Sequence, residues 1–166
     1  MVDIDAVDRI LVQLADRQWT LEATHLACQV ARLRGAEIIF IKMVAVQNIG
    51  WLGTELGYRD FSDEDYDNME DYAATAEDYG VLCSVHRYQY ITFPEGMSYV
   101  ADHYRTQLVF AKPIHKIKII RQIQFWLLRR ALVRHDQQLA NGALVESLLL
   151  TGRHELAELQ HAKQSV

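Results

Sequence analysis

The start of the chain places an amphipathic helix between two buried strands, and this order restricts the fold more than any other feature. Branched apolar residues dominate "RILVQLA" (9–15) and "AEIIFIKMVAV" (36–46), a composition typical of strands buried on both faces. From Leu21 to Leu33 apolar residues recur at helical spacing, and Gly35 is predicted to end that helix. Strand, helix and strand in under 40 residues predict a parallel strand pair with a right-handed crossover.

The same alternation continues along the chain. Further strands are predicted at 81–91, at "QLVFA" (107–111) and at "DQQLA" (136–140), the last polar enough to belong at an edge or an interface. Helices are predicted from the acidic run near residue 63 to Tyr79, over "FPEGMSYVADHYRT", and over the basic stretch "KIIRQIQFWLLRRALVRH". Together these elements predict an α/β fold with a doubly wound, Rossmann-like, five-stranded and mostly parallel sheet, with helices on both faces.

Two segments do not fit the alternation. Residues 47–68 contain three glycines, aromatics and acids, and are predicted to form a surface excursion or lid. Within them Asp63, Asp65 and Asp67 alternate as in a calcium loop, but the required glycine and final glutamate are not at the right places, so a helix start is predicted instead. Residues 141–166 are predicted to extend the 1–140 domain, with one or two helical turns and then a polar tail.

Composition excludes several classes of function. The chain has 166 residues, a formal net charge of −5 and a pI near 5.8, so no overall basic field would attract nucleic acid. It contains no apolar run long enough to cross a membrane, so no membrane insertion is predicted. Only Cys28 and Cys83 are present, which indicates a reducing cytoplasm rather than a disulfide framework.

Candidate catalytic and metal sites are equally sparse. His25 and Cys28 are three residues apart on one predicted helix, yet no third and fourth ligand is visible, so no metal site is predicted. No nucleophile elbow or other catalytic signature occurs. We therefore do not expect an enzyme, and no catalytic residue is assigned.

A doubly wound sheet offers ligand space beyond the carboxyl ends of its strands, where the strand order reverses. In this sequence the reversal falls between the first and fourth strands and predicts one crevice. Its candidate residues are Ala15, Asp16, Met43, Val44, Lys112 and His115, with Arg121, Phe125 and Trp126 following on the next helix.

The layout resembles the universal stress protein family. "RILVQLADRQWTLEATHLACQVARLRGAEIIFIKMV" is similar to the first strand–helix–strand unit of that family, and "YVADHYRTQLVFA" and "LLRRALVRH" resemble later segments. The resemblance covers roughly residues 9–140. It implies a fold of the adenine nucleotide alpha hydrolase-like type and a homodimer that pairs through the final strand.

The resemblance fails at the family's nucleotide motif. In ATP-binding members the fourth strand is followed by a glycine, two residues, a glycine, nine residues, and then a glycine with a serine or threonine. The corresponding residues here are Lys112, His115, Phe125 and Trp126. None lets a phosphate approach the backbone as glycine does. The family's acid after the first strand is also displaced, since Ala15 takes its place. The motif is degenerate, and neither ATP nor another cofactor is expected.

Two functions remain from the sequence. The first is a non-catalytic, cytoplasmic homodimer with a stress-linked regulatory or protein-interaction role, possible partners being unknown. In this case Phe125 and Trp126 pack in a core or interface, and the dimer contact includes 136–150 with Leu144 and Leu148. The alternative is a small-molecule or nucleotide-sensing module that binds an anion through Lys112, His115 and Arg121.

Overall fold

The computed structural model describes residues 7–54, 63–113 and 115–164, and its sheet has five parallel strands in the order β3-β2-β1-β4-β5. The strands are β1 (Arg9–Leu14), β2 (Glu37–Ala45), β3 (Cys83–Tyr90), β4 (Leu108–Phe110) and β5 (Gln138–Leu139). The helices are α1 (Arg17–Arg34), α2 (Asp63–Asp78), α3 (Phe93–His103), α4 (Lys118–Val133) and α5 (Gly142–Gln164). The predicted doubly wound fold is confirmed.

The central strand explains why the fold is stable. In β1, Val12 lies opposite Phe40 of β2 on one side and Phe110 of β4 on the other, and Val12 and Phe40 have no exposed surface. Burying one such side chain stabilises the folded state by about 1.5–3 kcal/mol. Neighbouring residues point to opposite faces of the sheet, so the apolar run of β1 supplies two cores. One core includes α1, α2 and α5, and the other includes α3 and α4.

Helix α1 begins four residues before its predicted start. The apolar periodicity begins only at Leu21, but the carboxylate of Asp16 accepts a hydrogen bond from the Trp19 N–H at 3.1 Å and caps the helix there. At its other end the prediction is confirmed, because Gly35 adopts the left-handed conformation (φ 68°) and its N–H bonds the Ala31 carbonyl.

The C-terminal segment is one continuous helix of 23 residues, so the prediction of one or two turns and a polar tail is wrong. Val145 and Leu148 are buried in the first core, and Gly152 lies so close to Leu33 of α1 that an added Cβ would be 3.3 Å from it. Farther along, Glu155 pairs with Arg34 at 3.3 Å. These contacts with α1 stabilise a helix whose own sequence pattern is weak.

The described part of the 47–68 segment is tied to the sheet. A short 3-10 turn at Ile49–Trp51 precedes Gly53, whose N–H bonds the side chain of Gln89 in β3. The amide of Gln89 in turn donates to the Thr54 carbonyl at 2.7 Å. Residues 55–62, which carry the rest of the predicted lid, lie outside the described residues. From Asp63 the chain is helical, as predicted.

Candidate functional site

A cavity of about 390 Å³ lies at the carboxyl ends of β1, β2 and β4, where the strand order reverses. The residues around it are Gln13, Leu14, Ala15, Asp16, Lys42, Met43, Lys112 and Pro113. Four of the predicted site residues are therefore brought together: Ala15, Asp16, Met43 and Lys112. The lining does not include the other five, which are Val44, His115, Arg121, Phe125 and Trp126.

Gln13 forms a hydrogen bond with the backbone near the start of the connection that follows β4. This side chain extends from β1, is 1% exposed, and accepts a hydrogen bond from the Lys112 N–H at 2.8 Å. The Lys112 N–H is the one that stands at the first glycine of the family motif. The oxygen of the buried Gln13 side chain would be costly to leave unpaired, so the Lys112 N–H stays hydrogen-bonded to it.

The side chain of Lys112 is also paired. Its ammonium group donates a hydrogen bond to Oδ2 of Asp16, while Oδ1 of the same carboxylate caps α1. The Lys112 hydrogen bond, followed by the one from the Trp19 N–H, lowers the pKa of Asp16 below its usual value. Gln13, Lys112 and Asp16 thus form a hydrogen-bonded network, here called the crevice network, across the mouth of the cavity.

The connection from β4 to α4 is too short to be a phosphate loop of the family type. Helix α4 begins at Lys118, so Phe125 and Trp126 fall about two turns inside it instead of at its start. The imidazole of His115 accepts the Ile117 N–H at 3.3 Å within this connection. Arg121 is exposed on α4. Of the four positions that correspond to the family motif, Lys112 and His115 therefore lie in the connection and Phe125 and Trp126 lie within α4.

Phe125 and Trp126 are not core residues. They are 40% and 58% exposed, whereas the core contacts of α4 are made by Leu128 and Leu132, which are fully buried. The structure thus contradicts packing of Trp126 in the core of the domain. The prediction that Leu148 belongs to a dimer contact is wrong, because this side chain is buried in the core of its own chain.

The structure does not bring His25 and Cys28 into a metal site. His25 lies 3.1 Å from the Tyr79 hydroxyl, while Cys28 is fully buried and burial raises the pKa of its thiol to about 11. Among residues 7–54, 63–113 and 115–164 there is no group of three His, Cys, Asp or Glu residues that could hold a metal ion. The same part of the chain has no helix long and apolar enough to cross a membrane.

Two residues that line the cavity, Gln13 and Lys42, were not predicted from the sequence. Both interrupt apolar strand runs, in "RILVQLA" and "EIIFIKMVA". A polar residue within a buried strand must find a partner, so each interruption was a usable signal. The partner itself is not visible in the sequence, since Gln13 and Lys112 are 99 residues apart.

Comparisons with known proteins place the fold. No family model matches the sequence, and no curated protein matches it. Solved structures do match. A Burkholderia pseudomallei protein from the universal stress protein family has 16% identity, a TM-score of 0.58, and coverage of 80% of this chain and 93% of its own. The universal stress protein of Lactobacillus plantarum has 13% identity, a TM-score of 0.57, and coverage of 81% and 96%.

A third match is a universal stress protein in complex with cAMP, with 14% identity, a TM-score of 0.53, and coverage of 80% of this chain and 94% of that one. At such identities the likeness shows the fold alone. The class is thus a doubly wound α/β domain with the universal stress protein fold. The structural neighbours are members of that family, which confirms the resemblance found in the sequence.

Proposed function

We propose that this chain is a non-catalytic protein of the universal stress protein type, which acts through contacts with other proteins in stress-linked regulation. Its crevice is closed to ATP by its own side chains, and it works as a homodimer in the cytoplasm. One observation carries the proposal: the crevice network uses both the backbone N–H and the ammonium group of Lys112, the second residue of the connection after β4.

A nucleotide would have to displace this network before it could bind. Freeing the Lys112 N–H leaves the buried oxygen of Gln13 without its partner, which costs about 1–3 kcal/mol. Freeing the ammonium group separates it from Asp16. The side chains at 112 and 115 also stand where glycines admit phosphate. A structural neighbour was solved with cAMP, but it is the fold alone that this chain shares with it.

The alternative function keeps a ligand in the crevice. The cavity of about 390 Å³ is lined by Lys42 and Lys112, so a small anion that displaced Asp16 from Lys112 would meet positive charge there. His115 and Arg121 do not line the cavity, so fewer side chains are available to bind an anion than the sequence predicts. It remains the second proposal.

Calorimetric titration with ATP, AMP and cAMP distinguishes the two functions. We expect no binding heat for the natural chain and no mass difference between native and denatured spectra of the purified protein. The matched variant Asp16→Asn removes the negative charge that pairs with the ammonium group of Lys112 while preserving size. Micromolar binding by the natural chain that is lost in Lys112→Ala would reject the closed crevice and establish the alternative.

The proposed dimer pairs through β5, whose outer edge has no neighbouring strand among the described residues. The N–H groups of Gln138 and Ala140 bond carbonyls on the β4 side, so the N–H of Leu139 points to the free edge. Light scattering at micromolar concentration should report a dimer, and Leu139→Pro should convert it to a monomer by removing that N–H. Leu139→Ala, which keeps the N–H, should remain dimeric. A monomeric natural chain would contradict the proposal.

A further inference from the structure

Helix α4 exposes an apolar stripe that the fold does not use. Ile119, Ile123, Trp126 and Val133 are between 52% and 68% exposed. With Arg130 they follow one another at intervals of four, three, four and three residues. These five residues, here called the α4 seam, occupy the spacing that the a and d positions of a coiled coil require.

The seam lies opposite the side of α4 that contacts the core. Each residue advances an α-helix by about 100°, so Trp126 and the fully buried Leu128 are on opposite sides. The same holds for Arg130 and the buried Leu132. Substituting the seam therefore leaves the core intact, and its apolar residues have no role in holding the domain together.

The surroundings of the seam are positively charged. Residues 103–135 contain eight lysines and arginines and no acid, in a chain whose net charge is −5. In the heptad frame of the seam, Arg129 and Arg134 flank it on its two sides. Arg130 lies within it, with its guanidinium 5.4 Å from the ring centroid of Trp126. A groove of about 410 Å³ beside the seam is lined by Arg130 and Arg134, together with Leu127, Pro94 and one acid, Glu95.

Spacing and charge together select the occupant. The a/d spacing of the seam suits a second helix, and the exposed Leu127 and Phe125, at 42% and 40%, lie outside that spacing. A helix that lies in a membrane surface presents a continuous wide apolar face. A second copy of α4 would bring arginines against arginines, which is unfavourable. A helix with apolar a and d residues and acids at its flanking positions satisfies both features, because those acids would face Arg129 and Arg134.

Building on the proposed function, we infer that the α4 seam is the docking surface for an amphipathic helix of a partner protein that carries glutamates or aspartates beside its apolar stripe. The apolar a and d side chains of the partner helix insert as knobs into the holes between Ile119, Ile123 and Trp126. Its acids pair with Arg129 and Arg134. This assigns the interaction role of the protein to a face distinct from both the crevice and the free edge of β5.

The experiment uses a labelled synthetic helix of about three heptads, with leucine at a and d and glutamate at e and g, and measures its binding by fluorescence anisotropy. A matched peptide carries lysine at e and g. We expect the glutamate peptide to bind and the lysine peptide to remain free. Trp126→Ala and Arg130→Glu should each weaken binding at least about tenfold, as losses of interface anchors do. Leu82→Ala, at an exposed apolar residue outside α4, should leave binding unchanged.

Three kinds of result would overturn the inference. One is a failure of charge-selective binding, seen either as absence of glutamate-peptide binding or as equal binding of both peptides. Another is binding of the protein to phosphatidylcholine–phosphatidylglycerol vesicles that is lost in Trp126→Ala, which would assign the seam to a membrane surface. The third is a dimer that dissociates in Trp126→Glu, which would assign it to a second copy. Nucleotide titration is a separate readout at the crevice, so failure of peptide binding leaves the closed crevice to be judged by its own test.

Discussion

Replacing Gln13 by leucine tests the energetic basis of the closed crevice. The side-chain oxygen of Gln13 is buried and accepts the Lys112 N–H at 2.8 Å, so Gln13→Leu removes one hydrogen bond and leaves that N–H group facing an apolar side chain. The volume is nearly conserved, hence cavity formation adds little. We expect the free energy of unfolding to fall by about 1–3 kcal/mol, the usual cost of an unpaired buried polar group.

The matched change is Lys112→Ala, which keeps the N–H···Gln13 bond and removes the ion pair with Asp16 together with the half-exposed side chain that makes it. Both side chains of that pair are about half-exposed, and such pairs contribute at most about 1 kcal/mol. Urea unfolding followed by circular dichroism measures both variants. In a chain of this size each kcal/mol corresponds to about 2–4 °C in Tm. If Lys112→Ala were the more destabilising of the two, the assignment of the main stabilisation to Gln13 would be refuted.

Three further predictions concern acid, the last helix and the thiols. The pKa of Asp16 is lowered in the folded state, so the ionised carboxylate stabilises the protein above its ordinary pKa. This stabilisation is lost as the pH falls through the pKa of the folded state. Asp16→Asn should therefore flatten this part of an acid-unfolding curve. Gly152→Leu should lower Tm in thermal melts by pushing α5 off α1, whereas Ser147→Leu on the exposed face of α5 should not. Under native conditions a thiol reagent should modify Cys83 before Cys28, which is fully buried with a pKa raised to about 11; equal rates would contradict that burial.

Much of the fold was predictable because its signals are local. The runs at 9–15 and 36–46 carry enough branched apolar residues to indicate buried strands, and the helix between them has clear periodicity. The polar edge strand at 136–140 was also identified, although only Gln138 and Leu139 pair. In each case the residues of the segment itself are enough to indicate its secondary structure.

The errors concern elements that depend on partners distant in sequence. Helix α5 is long because Val145, Leu148 and Gly152 dock on α1, and nothing in the polar residues near 160 indicates this. Packing of Trp126 in the core or an interface was predicted because aromatics next to leucines usually are buried. The core alternative is wrong, because the side of α4 that meets the sheet decides where Trp126 points.

The crevice was predictable in place but not in chemistry. Strand order alone brought Ala15, Asp16, Met43 and Lys112 to one cavity. The hydrogen bond from the Lys112 backbone to Gln13 depends on register between β1 and β4, which no local pattern indicates.

The most direct measurement of the closed crevice follows the Lys112 amide by NMR in isotope-labelled protein while ATP is added. If Gln13 and Asp16 keep their bonds to Lys112, the amide signal should stay at the same shift and its hydrogen exchange should stay slow up to millimolar ATP. A saturable shift of this signal at micromolar ATP, accompanied by faster exchange, would show that a nucleotide opens the network and would contradict the proposed function.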